Sequence, residues 1–355
     1  MPLVAATGAI VTSAFVPPDA AWAGYFDKKT LACLFSTLAV ICALRNVRFF
    51  AFLSQRIVRG VGNLRAAVLA LIWITFLGSM LIANDMALLT FLPLGHGVLV
   101  AARQEKYVPF TFVMQNIAAN LGGMLTPFGN PQNLYLYEKF RIPAGEFVGI
   151  MLIPFLASVT LMTLCCLWVP RTPVGDASPD APAPPRGRTA LYLALFAVAI
   201  LTVFRLVPYL VCVAAVLVVL LVADRKALLR VDYRLLLTFV CFFIFAGNLS
   251  RIPAARRVLS ALMEKNTLLF SVLSCQVISN VPSAILLSQF TDDYRHLLMG
   301  VNIGGAGTLI ASLASLITFR AYTARYRGRT AAYLGLFSAL NFGFLAVLTV
   351  LCLFL

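Results

Sequence analysis

Charged residues are scarce in this sequence: Asp, Glu, Lys and Arg make up 12% of its 355 residues, whereas 61% are hydrophobic. The mean hydropathy is +0.93. Soluble domains carry about twice this charged fraction, so the composition excludes an ordinary soluble globular protein. Long apolar segments separated by short polar ones instead predict an all-α polytopic membrane protein in a lipid bilayer.

Residues that support catalysis are also few. Neither of the two histidines, His96 and His296, lies in a pattern typical of catalysis or metal binding. The eight cysteines form no CxxC or Cys/His spacing and lie in apolar segments, where cysteine usually acts as a small buried hydrophobic residue. No His/Asp/Ser set, pair of carboxylates or metal-ligand cluster falls at one membrane depth, and the sequence contains no Walker A motif. We therefore expect neither an enzyme nor a bound cofactor, and no ATP-driven pump acting alone.

The charges that are present are unbalanced, with 28 Lys and Arg against 13 Asp and Glu. The basic residues are scattered in short clusters between apolar segments, so they form no basic face or motif for nucleic-acid binding. When the N-terminus is placed in the cytoplasm, most of them fall on the cytoplasmic side, as the positive-inside rule requires. We predict a multi-pass protein of the plasma (inner) membrane with its C-terminus outside.

Two segments interrupt the apolar pattern with residues that end helices. They are NLGGMLTPFGNPQN at residues 120–133 and NIGGAGTLIASLAS at residues 302–315. Prolines and glycines leave backbone N–H and C=O groups unpaired, which at membrane depth requires burial in protein or a polar cavity. The segments align without a gap, with Asn120 on Asn302. Paired breaks in two halves of a chain are typical of transporter binding sites.

An apolar hairpin with a polar tip precedes each break. Residues 66–101 form two apolar arms around Asn84 and Asp85, and the second hairpin has Ser279 and Asn280 at its tip. A charge at the midpoint favours a re-entrant hairpin, although two ordinary spans joined by a tight turn fit the same pattern. Asp85 alone among the acids lies deep in apolar sequence, and we expect it to bind the coupling H⁺ or Na⁺. The alternative is a carboxylate that only caps the second helix of the hairpin.

Because these features recur in the same order, the chain is interpreted as two inverted repeats with about nine full spans and two hairpins. Asp232, before its span, corresponds in the same way to Asp27. The predicted units are an N-terminal span and loop (1–26), a first repeat (27–169), a Pro/Ala-rich linker (170–188) and a second repeat with an extra leading span (189–355).

Two shorter segments need separate interpretation. The AWA triplet at residues 21–23 resembles a signal-peptide cleavage site, but no basic residue precedes the apolar run. We therefore favour a retained first span. FFAFLSQRIVRGV, from residue 49 onward, is typical of an interfacial amphipathic helix.

Together these motifs resemble the ion transporter superfamily, which groups citrate-type transporters, divalent anion/sodium symporters, sodium/proton antiporters and arsenite/antimonite permeases. ANDMALLTFLP (83–93) and SNVPSAILL (279–287) resemble the hairpins of arsenical permeases, and the broken segments resemble the discontinuous helices. The resemblance covers nearly the whole chain. It implies alternating access and a homodimer. Arsenical permeases can work with a partner ATPase, but nothing in this sequence indicates one.

The repeat and the resemblance assign a substrate and ion site to the hairpin tips and the breaks. Its residues are Asn84, Asp85, Gly122, Gly123, Thr126, Gly129, Asn130, Asn133, Ser279, Asn280, Pro282, Gly304, Gly305, Thr308 and Ser312. A coupling sodium ion would lie near Asn84, Asp85 and Asn280. The Gly-Gly pairs have a second interpretation, because glycine also permits close helix packing.

The predicted function is secondary active transport of a small inorganic or organic anion, or of a weak acid such as arsenite, coupled to H⁺ or Na⁺. Helices that restart after the breaks direct their positive N-terminal ends at an anion without a buried Lys or Arg. Dicarboxylate symporters carry Ser-Asn-Thr at both tips. Here Asp85 and Val281 replace the threonines, which argues against a sodium-coupled dicarboxylate mechanism. A Na⁺/H⁺ antiporter is the alternative, and a non-transporting membrane protein is a third interpretation.

Overall fold

The computed structural model describes residues 2–58, 61–173 and 183–355, and these ranges contain α-helices but no β-strand. The helices are α1 (Pro2–Phe15), α2 (Lys28–Asn46), α3 (Phe49–Val58), α4 (Leu64–Leu81), α5 (Asn84–Ala101), α6 (Val108–Gly122), α7 (Pro131–Lys139), α8 (Ala144–Cys166), α9 (Arg186–Val203), α10 (Tyr209–Ala223), α11 (Arg225–Leu229), α12 (Tyr233–Arg251), α13 (Pro253–Lys265), α14 (Thr267–Ile278), α15 (Asn280–Leu287), α16 (Tyr294–Ile303), α17 (Leu313–Thr323) and α18 (Thr330–Cys352).

Seven of these helices have 18 or more residues and are apolar enough to cross a membrane: α2, α4, α5, α8, α9, α12 and α18. An 18-residue helix is about 27 Å long, close to the thickness of the hydrocarbon layer. Shorter apolar segments occur in α1, α10 and α14. The prediction of an all-α polytopic membrane protein is confirmed, whereas the number of full spans stays a prediction.

Helices of the two halves follow one another in matching order, α2 to α8 and then α12 to α18. The first helix of each series begins at an aspartate cap. Asp27 accepts a hydrogen bond from the backbone N–H of Thr30 at 2.9 Å, and Asp232 accepts one from that of Leu235 at 3.1 Å. Each carboxylate pairs a free N–H group and lies at the positive end of its helix, which explains why an acid precedes both spans. The predicted repeat boundaries remain predictions, and residues 174–182 of the linker lie outside the described residues.

The helices that precede α2 and α12 in the chain each pack against the opposite half of the protein. Helix α1 packs along α12, while α9 and α10 pack on α2. The side-chain amide of Asn248 on α12 donates to the hydroxyl groups of Thr12 and Ser13 on α1, each at 3.3 Å. Tyr192 and Cys212 belong to the hydrophobic core that surrounds α2. Each half therefore covers the first helix of the other, which holds the two repeats together.

Polar contacts at the surface join loops that the predicted topology places on the same side. Arg251, at the end of α12, donates to both carboxylate oxygens of Asp19 in the α1–α2 loop, at 3.0 and 2.6 Å. These hydrogen bonds hold the pKa of Asp19 below its usual value. On the other side, Asn46 at the end of α2 donates to Asp224 at 2.8 Å. The contacts agree with the predicted alternation of spans, and which side faces the cytoplasm stays a prediction.

Candidate functional site

The tip of the first hairpin contacts both breaks. Asn84, the first residue of α5, accepts a hydrogen bond from the backbone N–H of Asp85 at 3.0 Å. Its side-chain nitrogen donates to Asn120 at 3.2 Å and to the Ser312 hydroxyl at 3.5 Å. Asn120 lies in the last turn of α6, where the first break starts, and Ser312 is the cap residue of α17 in the second break. One buried asparagine thus joins the hairpin to both halves of the protein.

The tip of the second hairpin is a strained residue. Ser279 has φ +78° and ψ 157°, a region that non-glycine residues occupy at a cost of about 1–3 kcal/mol. Two hydrogen bonds to the backbone oxygen of Ala311 hold it in place, from the Ser279 hydroxyl at 3.2 Å and from the Asn280 N–H at 3.0 Å. Asn280 also accepts from the N–H of Val281 at 2.9 Å, the same contact that Asn84 makes.

The threonines of the two breaks make equivalent contacts. Thr126 donates its hydroxyl hydrogen to the backbone oxygen of Met80, and Thr308 donates to that of Gln276, both at 3.0 Å. Each acceptor lies four residues before the hairpin-tip asparagine. The hydroxyl groups therefore anchor each break to the first arm of its own hairpin.

The freed carbonyl groups of the first break are paired by one amide. Asn133 donates to the backbone oxygens of Gly123, Met124 and Thr126 at 3.0, 3.3 and 3.2 Å. Its side-chain oxygen accepts from Asn302 at 2.6 Å, which links the first break to the second. Backbone groups that would be unsatisfied in a membrane are paired inside the protein instead.

In the second break Gln276 pairs the free backbone groups, although it was not among the predicted site residues. Its amide nitrogen donates to the backbone oxygens of Gly304 and Ala306 at 2.9 and 3.1 Å, and its oxygen accepts from the N–H of Thr308 at 2.8 Å. The available signal was a glutamine inside an apolar arm, four residues before the tip.

Replacing Gln276 by Leu is expected to destabilise the protein by about 3 kcal/mol, because three buried backbone groups lose their partner. Thermal unfolding of the purified variant in detergent measures the effect. Gln289→Leu is the matched control, since the Gln289 side chain forms only one hydrogen bond to the described residues, to the Tyr135 hydroxyl at 3.4 Å. Equal melting temperatures for the two variants would contradict the conclusion that Gln276 stabilises the backbone of the second break.

The first glycine of each Gly-Gly pair permits close helix packing. A Cβ atom at Gly122 would overlap the backbone oxygen of Phe76 on α4. A Cβ atom at Gly304 would lie 2.9 Å from the Cβ of Cys275 on α14. Both glycines therefore face the first arm of the hairpin in their own repeat, where no side chain fits.

The second glycine of each pair faces polar side chains. A Cβ atom at Gly123 would lie 2.6 Å from the side-chain oxygen of Asn130, and one at Gly305 would lie 3.1 Å from the side-chain nitrogen of Asn280. The packing interpretation of the Gly-Gly motif therefore describes the first glycine of each pair, and the site interpretation of the second glycine stays a prediction.

A cavity of about 390 Å³ lies between the hairpin tips and the starts of α7, α12 and α17. Six of the predicted site residues line it: Asn84, Asp85, Ser279, Asn280, Pro282 and Ser312. The other nine predicted residues are not among its lining residues: Gly122, Gly123, Thr126, Gly129, Asn130, Asn133, Gly304, Gly305 and Thr308. The hairpin tips therefore face the cavity, and most residues of the breaks support them.

Several lining residues were not predicted. Asp232, Arg234 and Thr238 come from the start of α12, and Arg320 comes from α17. Both arginines are exposed at the surface, so the cavity reaches solvent where they lie. In the sequence they were indistinguishable from the other basic residues that flank spans.

Two amide side chains at the start of α7 are buried without partners. Asn130 and Gln132 are each 1% exposed, and neither forms a side-chain hydrogen bond to any described residue. Gln132 also lines the cavity. Each unpaired buried polar group costs about 1–3 kcal/mol, a cost that a bound ligand removes when it supplies a partner.

The opposite end of α7 carries an ion cluster. Glu138 lies 2.8 Å from Lys29 at the start of α2 and 3.6 Å from Arg205 in the α9–α10 loop. The Arg205 guanidinium also stacks on the Tyr137 ring, with its carbon 4.4 Å from the ring centroid. The Glu138 side chain is 7% exposed. This cluster joins α7 to the surrounding helices at the end away from the cavity.

Comparisons with known proteins agree with this architecture. Residues 1–293 match the family model described as "Citrate transporter". The chain is 32% identical over 297 residues to an uncharacterised transporter, MJ0456, of Methanocaldococcus jannaschii, covering 82% of this chain and 80% of that protein. It is 30% identical over 318 residues to the inner membrane protein YbiR of Escherichia coli, covering 87% and 84%.

Two further comparisons are more distant. The silicon efflux transporter LSI3 of rice is 30% identical over 179 residues, which are 49% of this chain and 36% of that protein. The crystal structure of the YdaH transporter of Alcanivorax borkumensis matches with a TM-score of 0.57 at 15% identity, over 94% of this chain and 86% of that one. This likeness concerns the fold alone. The family match and the two long alignments show that the chain is a membrane transporter, not an enzyme, and that it belongs to the citrate transporter family.

Proposed function

We propose that the protein is a secondary active transporter of a small inorganic or organic anion, coupled to H⁺ or Na⁺ by alternating access. One observation carries the proposal. Both hairpin tips and the restarting helices α7 and α17 converge on one cavity, which is lined by polar and charged side chains from both halves of the chain. A site between two inverted repeats is reached from alternate sides when the repeats move relative to the surrounding helices.

The polar lining of the cavity supports an anionic substrate. Helices α5 and α15 begin at the two tip asparagines, and α17 begins next to Ser312. The N-terminal ends of helices carry unpaired N–H groups and partial positive charge, which favour negative ligands. Gln132 adds an amide that has no partner among the described residues.

The charges that line the cavity support coupling through Asp85. Four charged side chains lie there, Asp85, Asp232, Arg234 and Arg320, and their formal charges cancel. Asp232 is already bonded to the first turn of α12. A proton or sodium ion on Asp85 leaves one net positive charge, so a cation at Asp85 and an anion in the cavity favour each other. This linkage favours symport.

The cavity opens beside the start of α12, and the predicted topology puts this end of α12 in the cytoplasm. We propose that the structure represents an inward-open state, with the Glu138 cluster closing the outer side. The homodimer and the orientation of the termini are part of the same proposal.

Two other candidate functions have specific support. The amide groups around the tips also suit a neutral weak acid such as arsenite, and the name of the rice relative, a silicon efflux transporter, supports that substrate class. An acid at membrane depth supports a Na⁺/H⁺ antiporter.

Transport by purified protein in liposomes separates these functions. Uptake of arsenite, phosphate, sulfate, citrate and succinate is measured with and without inward proton and sodium gradients. We expect gradient-driven accumulation of at least one charged anion. Thermal stabilisation by the same compounds gives an independent readout, because a ligand that binds only the folded protein raises its stability. Sodium/proton exchange without any anion dependence would replace the proposal by the antiporter.

A further inference from the structure

The inverted repeat places different charges at equivalent positions on the two sides of the protein. Lys29 and Arg234 are each the second residue of a helix that begins at an aspartate cap. Glu138 and Arg320 each lie eight positions after the cap residue of the helix that follows a break. The two pairs are therefore structural counterparts, one at each end of the transport path.

The first pair, Lys29 and Glu138, is in contact, whereas Arg234 and Arg320 cannot form an equivalent ion pair. Lys29 and Glu138 form an ion pair at 2.8 Å. Their counterparts are two arginines, which repel each other, and both line the open cavity. Neither arginine forms a salt bridge with any residue in the described ranges. The other titratable groups that line the cavity are Asp85 and Asp232.

We propose that Arg234 and Arg320 together bind the transported anion at the mouth of the cavity, and that this anion takes the place that Glu138 occupies on the other side. This inference rests on the proposed anion transport and adds its substrate class. The anion carries at least two oxygen atoms that share its negative charge and accept hydrogen bonds, as a carboxylate, phosphate or sulfate does. The planar guanidinium group binds such oxygens through two parallel hydrogen bonds.

The buried amide of Gln132 supports the same site. It lines the cavity with both arginines, is 1% exposed and has no partner among the described residues. An anion held by the arginines would offer it an acceptor. A bound anion also cancels the repulsion between the two arginines. The mouth of the cavity therefore closes when the anion is bound and stays open when no anion is present. Because closing requires a bound anion, the coupling ion does not cross the membrane without substrate.

Transport kinetics of Arg234→Gln and Arg320→Gln in liposomes test the binding role, with citrate, succinate, phosphate and sulfate as charged probes and arsenite at neutral pH as an uncharged one. Loss of a hydrogen bond between charged groups is expected to raise KM for a charged probe about ten- to hundredfold. Arg256→Gln, on the exposed helix α13, is the matched control and is expected to leave KM unchanged. Unchanged KM values in both cavity variants would overturn the inference while leaving the proposed function in place.

Arg320→Glu tests the closing role. This variant recreates the acid and base pair of the other side, so the mouth is expected to close without substrate. A Thr238→Cys substitution then reports access, and its labelling by an uncharged maleimide, whose rate does not depend on the changed local charge, is expected to fall at least fivefold in the Arg320→Glu background. Labelling of the parent without the added cysteine is subtracted. Equal labelling in both backgrounds would overturn the closing role, and thermal unfolding shows that both proteins are folded. If the wild type transports no charged probe, the proposed function itself fails.

Discussion

Asp85→Asn is expected to abolish gradient-driven accumulation of the anion while leaving the protein folded. The carboxylate lines the cavity but accepts no hydrogen bond from any described residue, and the side chain that pairs a free N–H in the first turn of α5 is Asn84, which accepts from the N–H of Asp85. The capping interpretation of Asp85 therefore has no contact to support it, and its charge is available for a coupling ion. We expect accumulation to fall at least tenfold, because the neutral amide cannot change charge when H⁺ or Na⁺ is present.

Uptake driven by pH and sodium gradients measures this effect, and exchange of substrate across the membrane without a gradient measures binding and translocation alone. Exchange is expected to persist, because the amide keeps the size of the side chain. Asp292→Asn is the matched control, since Asp292 is exposed in the α15–α16 loop. Thermal stability of Asp85→Asn should equal or exceed that of the wild type, because a charge at membrane depth is costly. A large drop in stability together with lost exchange would favour a structural role for Asp85.

Gly122→Ala is expected to cause a large loss of stability, far larger than the same substitution at Gly149. The new Cβ atom would overlap the backbone oxygen of Phe76, and backbone in the middle of α4 cannot move away without breaking that helix. Steric overlap of this kind costs about 3 kcal/mol or more. The purified variant is expected to aggregate or to unfold at a temperature well below that of the wild type.

Gly149→Ala provides the control for this prediction. Gly149 lies within α8, where an added Cβ meets nothing within 4 Å. Because Ala is favoured over Gly in a helix by up to about 1 kcal/mol, its melting temperature should be unchanged or slightly raised. A Gly122→Ala protein as stable as Gly149→Ala would show that α4 and α6 are not packed as closely as described.

The breaks and the hairpin tips were visible in the sequence because they depend on local chemistry, whereas their role as a substrate site stays a prediction. Gly, Pro and Asn free backbone groups wherever they occur in an apolar helix, and their duplication was visible by alignment of 120–133 with 302–315. In the same way, the sequence shows that Asp27 and Asp232 occupy matching positions before a span in each half, and the structure adds that both are helix caps. These features need no knowledge of which helices touch.

The missed residues share a different property. Gln276, Gln132 and Arg320 lie in segments whose sequence gives them ordinary roles, as a polar residue in an apolar arm, an amide at a helix start and a basic residue at a span end. Their importance comes from contacts with segments distant in the chain, such as the contact between Gln276 and Gly304, which are 28 positions apart. A single sequence carries no record of such distances.

The sequence by itself determined that this chain is a helical membrane protein with two broken helices and two apolar hairpins that have polar tips, because hydrophobicity and helix-breaking residues act within a few positions. Only the tertiary structure decided that the two glycines of each Gly-Gly pair have different surroundings, and that one side is held by Lys29 and Glu138 while the other presents two arginines. These outcomes depend on how helices from opposite halves pack, and packing is a property of the folded chain as a whole.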